Sequence, residues 1–187
     1  MTIKIATIDE LKKQFAWQDN LNTKQNISRL GNLFVVYIVQ KMGLSFDFTF
    51  GFESLGKPFF LYNNKLHFSI SDSKQYIAIV LNDKRVGIDI EYLRENKKEI
   101  AKRNFHPKEV EYLDKYVGNE YDQAFTQLWT IKEAYVKMTG AGIGGYFKTI
   151  DLSPKEFIIE QDYTKNSHHI HSYYNNELQL FITIVEE

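Results

Sequence analysis

The 187 residues are enough to bury a sizeable hydrophobic core, either as one domain or as two small joined halves. Hydrophobic residues make up 43% and aromatic residues 15% of the chain, which excludes a disordered protein. The 23 basic and 24 acidic residues nearly cancel, so no global field favours nucleic acid or a membrane surface, and the lack of cysteine excludes disulfides and thiolate chemistry.

The first half of the chain predicts short strands and one long helix. Residues 1–8 alternate as a strand, and the segment after Asp9 has a helical pattern. Apolar residues recur three and four apart over residues 26–42, which predicts a helix that Gly43 ends. Alternating phenylalanines over residues 46–50 predict a strand, and a turn follows at residues 53–58.

Three strands are predicted next, as an antiparallel meander over residues 66–71, 76–81 and 85–91. Helices are then expected over residues 94–104, from Pro107 onward, and over residues 121–138, where Gly140 ends the last of them. Short strands are expected around residues 147–152 and 157–159, followed by a hairpin of residues 170–174 and 178–185.

These elements predict an α+β fold with two similar halves, split near residue 84, each with helices and antiparallel strands. No segment has the composition of a signal peptide, and the longest apolar run, residues 33–39, is too short to cross a bilayer. We therefore expect a cytoplasmic protein.

The strand over residues 85–91 carries the first chemical signal. Asp89 and Glu91 alternate with apolar residues, so their side chains point the same way. Two carboxylates on one face suit a hard cation. A half-buried strand with ordinary acidic residues outside would show the same alternation.

The longest helix carries the second signal. Trp129, Glu133 and Lys137 stand four residues apart and share a face, with Lys132 one step round. The alternative is a surface Glu–Lys pair beside a partly buried tryptophan, which would contribute little.

Taken in order, the two signals form a family pattern. Val86-Gly87-Ile88-Asp89-Ile90-Glu91, then Phe105 to Glu109, then Trp129-Thr130-Ile131-Lys132-Glu133-Ala134 with Lys137, closely resemble the 4′-phosphopantetheinyl transferase superfamily. More narrowly, the chain resembles the larger, pseudo-dimeric type that activates surfactin-synthetase-like carrier proteins. Gly56-Lys57-Pro58 and Phe68-Ser69-Ile70-Ser71-Asp72-Ser73 fall where that type carries two further motifs, so the resemblance spans roughly residues 56–142.

The resemblance implies two α+β halves with antiparallel sheets related by a pseudo-two-fold axis. Residues 1–84 would form the nucleotide side of a coenzyme A site and residues 85–187 the metal and catalytic side, and the two could count as one domain. The implied reaction is Mg²⁺-dependent transfer of the phosphopantetheine arm of coenzyme A to a serine of an apo acyl or peptidyl carrier protein, releasing adenosine 3′,5′-bisphosphate. Mn²⁺ could replace Mg²⁺. We expect a monomer that binds neither nucleic acid nor membrane.

Residue roles follow from the same resemblance. Asp89, Glu91 and Glu133 match the metal ligands, and Lys137 would steady the pyrophosphate or the leaving group. Glu109 matches a proposed general base, with Glu133 as the competing base. As the third residue of its helix, Glu109 could equally cap backbone N–H groups.

The coenzyme A contacts implied by the resemblance are Lys57, Ser71, Asp72, Lys132 and Lys137. Asp72 stands where the family usually has histidine, and its carboxylate would repel the 3′-phosphate. This departure keeps two alternatives open: a non-catalytic module that binds coenzyme A or a carrier protein with altered 3′-phosphate recognition, and an Mg²⁺-dependent phosphohydrolase.

A basic surface follows the acidic strand. It could dock an acidic carrier protein, or it could be a solvated helix interleaved with acidic residues. Its members are Arg94, Lys97, Lys98, Lys102, Arg103 and Lys108.

Overall fold

The computed structural model describes residues 1–18, 23–95, 97–142 and 146–187, and only the backbone of Tyr146. Within these ranges, the strands are β1 (Thr2–Thr7), β2 (Phe50–Phe52), β3 (Pro58–Phe60), β4 (His67–Ser73), β5 (Tyr76–Asn82), β6 (Val86–Glu91), β7 (Gln161–Lys165), β8 (His168–Asn175) and β9 (Leu180–Glu186). The helices are α1 (Ile8–Gln14), α2 (Lys24–Lys41), α3 (Lys98–Asn104), α4 (Pro107–Leu113), α5 (Gly118–Thr139) and α6 (Tyr146–Thr149).

Two antiparallel sheets organise the chain. The first has the strand order β1-β5-β4, and the second has the order β6-β9-β8-β7, while β2 and β3 pair as a separate hairpin. The mixture of helices and antiparallel sheets confirms the predicted α+β class. The two sheets are built from residues on either side of position 84; the pseudo-two-fold axis and the division into domains at that position stay predictions.

The predicted meander is wrong at its third strand. β5 already pairs with β1 on one edge and β4 on the other, so it has no edge left for β6. β6 pairs with β9 instead, which places Asp89 opposite Thr183. Because β9 lies near the end of the chain, local spacing could not reveal this pairing.

The elements pack in four layers. Helices α1 and α2 cover one face of the first sheet through a core that includes Leu30, Phe34 and Ile77. The other face of that sheet packs on the second sheet, and this contact includes Val80 and Ile88. Helix α5 covers the far side of the second sheet. None of the helices in the described ranges is long and apolar enough to span a membrane.

The predicted helices α2, α4 and α5 are present. Pro107 opens α4, where its missing N–H is not needed, and Gly140 ends α5 with a left-handed φ of 74°. The basic helix begins later than expected, at Lys98.

Three predicted strand segments are wrong. Of residues 46–50, Phe50 alone is in a strand, and Phe46 and Phe48 pack their rings around Phe60 instead. Residues 146–149 form helix α6, which places Phe147 in the core below α5. No strand forms at residues 157–159 within the described chain, and β7 starts at Gln161. For residues 46–50 and 147–152 the apolar pattern reflects side chains that pack into the core from a loop or a helix, whereas Ile158 and Ile159 are exposed.

β4 and β6 are edge strands of different sheets, and they lie side by side without sharing a backbone ladder. Hydroxyl groups of β4 make the connection: Ser69 Oγ accepts a hydrogen bond from the Ile88 N–H at 3.2 Å, and Ser71 Oγ accepts one from the Ile90 N–H at 3.3 Å. We call this line of contact, formed by Ser69, Ser71 and Ser73, the serine seam.

Candidate active site

A glycine brings helix α5 close to the acidic strand. A Cβ atom on Gly87 would lie 1.9 Å from the carbonyl oxygen of Ala134 and 2.6 Å from the amide nitrogen of Met138. No side chain fits at such distances, so the residue before Ile88 must be glycine. The close approach places Glu133 and Lys137 of α5 beside Asp89.

Asp89 is the centre of this contact and is only 5% exposed. Its Oδ1 accepts hydrogen bonds from Ser71 Oγ at 2.7 Å and from Lys137 Nζ at 2.8 Å. Its Oδ2 is buried and has no hydrogen-bond partner among the described residues. A buried carboxylate oxygen without a donor is costly, and a cation would satisfy it.

Glu91 lies on the same face, two residues along the strand. Its Oε2 accepts from Ser73 Oγ at 3.2 Å, and its Oε1 forms an ion pair with Arg94 at 2.8 Å. The guanidinium of Arg94 in turn stacks over the Trp129 ring. Burial raises the pKa of Glu91, and the negative charge of Asp89 raises it further.

Glu133 completes the carboxylate group from α5. Burial raises the pKa of Glu133 to about 7, the charges of Asp89 and Glu91 add to the rise, and Lys137 opposes it. The charge of Asp89 disfavours the ionised forms of Glu91 and Glu133, and a divalent cation would stabilise these ionised forms.

In the structure, these three carboxylates do not form a metal-binding cluster. Among residues 1–18, 23–95, 97–142 and 146–187, no three His, Asp or Glu side chains stand close enough together to hold an ion. Lys137 and Ser71 share one oxygen of Asp89, while Arg94 engages Glu91. The assignment of Asp89, Glu91 and Glu133 as metal ligands stays a prediction, which the unpartnered Oδ2 and the raised pKa of Glu133 support.

A cavity of about 320 Å³ opens beside this group. It lies between the turn after β2, strand β4 and the end of α5, and its mixed lining of aliphatic and charged side chains includes Glu133 and Lys137. We call it the first cavity. The described residues that line it are Leu55, Gly56, Lys57, Pro58, Ser69, Ile70, Glu133, Val136, Lys137, Gly140 and Gly142.

Lys57 stands at the far side of the first cavity, at the carboxyl end of α5. Its ammonium donates to the carbonyl oxygens of Met138 at 3.0 Å and Val86 at 3.3 Å. Burial lowers the pKa of Lys57 to about 8, and the nearby charge of Arg85 contributes. Arg85 also donates to Met138 and forms an ion pair with Glu53 at 2.9 Å, so the turn is fastened to the end of the helix.

A second cavity, of about 600 Å³, opens on the other side of Glu91. Its lining includes three cationic side chains, Lys74, Arg94 and Lys97. The carboxylates therefore lie between two openings, with Glu133 lining the first and Glu91 the second.

Ser71 and Asp72 point to opposite faces of β4. Ser71 is 3% exposed and contacts Asp89 and Lys137, whereas Asp72 is exposed. The structure thus brings Ser71 to the carboxylates and leaves Asp72 away from them.

Glu109 and Lys132 form a separate buried ion pair at 2.8 Å, with side-chain exposures of 0% and 1%. Glu109 also accepts hydrogen bonds from the N–H groups of His106 and Leu152, at 3.0 and 2.8 Å, and Lys132 donates to the Ile150 carbonyl. Burial raises the pKa of Glu109, and the ammonium of Lys132 opposes this rise. The helix-capping alternative for Glu109 is therefore confirmed by its capping box with His106.

This pair is not brought to the carboxylate group. The described donors to Glu109 are the N–H groups of His106 and Leu152 and the ammonium of Lys132, and they occupy both of its oxygens. The roles assigned to Glu109 and Lys132 in catalysis and in coenzyme A binding stay predictions, and the observed contacts favour a structural role.

Three residues at the site were given no role there by the sequence reasoning. Arg94 was named only for the basic surface, although its spacing of three from Glu91 is a usable signal for an ion pair. Ser69 and Ser73 belonged to a quoted motif, and their alternation with Ser71 was the available clue that they share a face.

A family model described as the 4′-phosphopantetheinyl transferase superfamily matches residues 85–183, more than half of the chain. The chain is 34% identical over 135 residues to the 4′-phosphopantetheinyl transferase gsp of Aneurinibacillus migulanus, an alignment that covers 71% of this chain and 56% of the relative.

Two further relatives show similar sequence identity. The chain is 38% identical over 114 residues to the 4′-phosphopantetheinyl transferase HetI of Nostoc sp., covering 57% of the chain and 48% of the relative. It is 33% identical over 99 residues to the 4′-phosphopantetheinyl transferase Sfp of Bacillus subtilis strain 168, covering 52% and 43%. The chain thus spans about half the length of the curated relatives it matches.

Proposed function

This chain belongs to the 4′-phosphopantetheinyl transferase superfamily, and from that premise we propose that it transfers the phosphopantetheine arm of coenzyme A to a serine of an apo carrier protein, releasing adenosine 3′,5′-bisphosphate. The superfamily and its Sfp-like type, both predicted from the sequence, are confirmed by the matches. The observation that carries the activity is the group of Asp89, Glu91 and Glu133 with Lys137, of which Glu133 and Lys137 line the first cavity.

The three carboxylates would hold Mg²⁺, with Mn²⁺ as the alternative, and the ion would supply positive charge at the bridging pyrophosphate. Lys137 would add a second positive charge there, because its side chain is 28% exposed, bonds to Asp89 and lines the first cavity. These charges would stabilise the leaving phosphate as it accumulates negative charge.

Glu133 is our candidate for the general base. It lines the first cavity beside Lys137, and without a bound ion its pKa is raised to about 7, so it holds a proton more strongly than an ordinary carboxylate. Glu109 is the weaker candidate, because its oxygens already accept from Lys132, Leu152 and His106.

We place the nucleotide end of coenzyme A in the first cavity, where Lys57 and Lys137 are the described cations. Asp72 stays the main departure from the family pattern. Calorimetric titration with coenzyme A and with its 3′-dephospho form measures what that departure does: equal affinities would mean that the 3′-phosphate is not recognised.

The acceptor would approach from the second cavity. Arg94 and Lys97 line it, and Lys98, Lys102 and Arg103 continue the basic surface along α3. An acidic carrier protein is complementary to this surface, although Lys102 is partly neutralised by Glu99 at 3.2 Å. We expect the protein to act as a monomer in the cytoplasm.

The test is direct. The protein is incubated with coenzyme A, Mg²⁺ and a broad panel of apo acyl and peptidyl carrier proteins, and mass spectrometry detects addition of the arm. A matched reaction with a chelator gives the control. If a demonstrably folded protein adds the arm to no carrier, the transferase proposal fails. Hydrolysis of coenzyme A without an acceptor would then favour a phosphohydrolase, and binding without reaction would favour a binding module.

A further inference from the structure

We propose that Ser71 and Ser73 are positioning residues: their hydroxyl groups aim Asp89 and Glu91 for the reaction. This deepens the proposed function and rests on it for the kinetic part of its test. The family pattern implied that Ser71 contacts coenzyme A. The observed hydrogen bonds indicate a different role, because the Ser71 hydroxyl is buried and engaged on all sides.

The hydrogen-bond inventory of Ser71 fixes the direction of its proton. Lys137 Nζ, at 2.8 Å, and the Ile90 N–H, at 3.3 Å, can act only as donors, so they occupy the two acceptor positions of the hydroxyl. The single O–H must therefore be donated to Asp89 Oδ1, at 2.7 Å. Ser71 thus binds both Lys137 and Asp89 and fixes their positions relative to each other.

As a consequence, the two carboxylate oxygens of Asp89 have different environments. Oδ1 accepts from both Ser71 and Lys137, while Oδ2 is left buried without a described partner. A carboxylate that could rotate freely would turn Oδ2 toward a donor. The Ser71 hydroxyl opposes this rotation and keeps one oxygen available for a cation.

Ser73 does the same for Glu91 from the opposite side to Arg94. The hydroxyl of Ser73 contacts Oε2 at 3.2 Å, and the guanidinium of Arg94 contacts Oε1 at 2.8 Å. The side chain of Glu91 is therefore held at both oxygens, which limits its rotamers.

Ser69 provides an internal control. It lies on the same strand and face, and its hydroxyl accepts from the Ile88 N–H as Ser71 accepts from the Ile90 N–H. No carboxylate contact is described for Ser69. Ser69→Ala and Ser71→Ala each leave one buried N–H without its acceptor, so both should lower the melting temperature. Ser71→Ala should lower it more, because it also removes the donor to Asp89 and an acceptor of Lys137.

The first experiment is independent of activity. Crystal structures of Ser69→Ala and Ser71→Ala without ligands are compared with the parent protein. We expect the Asp89 carboxylate to rotate and Lys137 Nζ to move in Ser71→Ala, and neither to move in Ser69→Ala. If Asp89 and Lys137 keep their positions in Ser71→Ala, the seam is a structural contact only and the proposal is overturned.

The second experiment measures kcat and KM for coenzyme A. Loss of a partner that orients a metal ligand typically reduces activity or metal affinity by about 10–100-fold, so we expect Ser71→Ala to lower kcat by at least about tenfold with little change in KM. Ser71→Thr keeps the hydroxyl and should recover most of that loss. Equal kcat values for the parent and a folded Ser71→Ala would also overturn the proposal.

Two provisions keep the outcome decisive. If Ser71→Ala does not fold, Ser73→Ala replaces it, since no backbone N–H is described as bonding to Ser73, and the Glu91 carboxylate is then the side chain expected to move. If the parent protein modifies no carrier, the proposed function fails, and the crystal structures still decide whether the serines position the carboxylates.

Discussion

Replacing Glu109 by glutamine tests whether Glu109 is a catalytic base or has an anchoring role, that is, whether it stabilises the fold through its buried ion pair with Lys132. The substitution removes the ion-pair partner of Lys132, whose side chain is 1% exposed. Removing one partner of a buried ion pair typically costs about 3–5 kcal/mol. For a protein of this size each kcal/mol lowers the melting temperature by about 2–4 °C, so we expect a decrease of roughly 6–20 °C.

Thermal unfolding followed by circular dichroism measures the decrease. Glu111→Gln is the matched control, since Glu111 is an exposed glutamate on the same helix and should change stability by less than about 0.5 kcal/mol. The double variant Glu109→Gln/Lys132→Met removes both buried charges and should recover part of the loss.

Turnover in the same variants decides the interpretation. We expect the kcat of Glu109→Gln, measured well below its melting temperature, to stay within about tenfold of the parent value, because Glu133 can supply the base. A variant as stable as Glu111→Gln, with kcat lowered by several orders of magnitude and KM unchanged, would refute the anchoring role and make Glu109 the base.

Three further predictions address the site. Asp89→Asn should lower transfer by at least about 100-fold, since it weakens binding of the ion that neutralises the pyrophosphate, while the melting temperature stays close to that of the parent; near-normal transfer at limiting Mg²⁺ would contradict the metal assignment. The pKa of Glu133 rises from its ordinary 4.5 to about 7 in the folded protein, so the folded state binds the proton more tightly and stability falls as pH increases through that window. Glu133→Gln should abolish this fall and be more stable than the parent at pH 8 by up to roughly 3 kcal/mol, with no difference at pH 4, in urea unfolding; identical pH dependence in both proteins would show that Glu133 is not the cause. Gly87→Ala would place a methyl group against the Ala134 carbonyl and should destabilise the protein by about 3 kcal/mol or more, and an unchanged melting temperature would mean that α5 can move away from β6.

Local pattern was sufficient for the long helices and for the acidic strand. Helix α5 was predicted from the spacing of its apolar residues and from the glycine that ends it, and strand β6 from the alternation of apolar and acidic residues. Both signals come from residues that are neighbours in the sequence. The partner of β6 was not predicted, because β9 lies about ninety residues later and both sequences suit several pairings. Phe147 was wrongly assigned to a strand. An isolated apolar residue does not reveal whether a strand or a helix buries it, and Phe147 lies in helix α6.

The site was predictable in part for the same reason. Glu133 and Lys137 share a helix face, so their proximity follows from spacing alone. The separation of Lys132 from Glu133 does not: adjacent residues on a helix differ by about 100° in direction, and tertiary packing decided that Lys132 faces the buried Glu109. The serine seam required knowledge of which two sheet edges meet.

The serine seam also indicates where the chain could be divided into two fragments. Each sheet completes its backbone hydrogen bonds from its own stretch of chain, β1 to β5 for one and β6 to β9 for the other. A cut between Asp83 and Lys84 would interrupt no strand pair, and the apolar surfaces of the two fragments would remain complementary. One fragment would carry the carboxylates and the other the hydroxyl groups that hold them, so recovered transfer on mixing would report the association of two separate polypeptides.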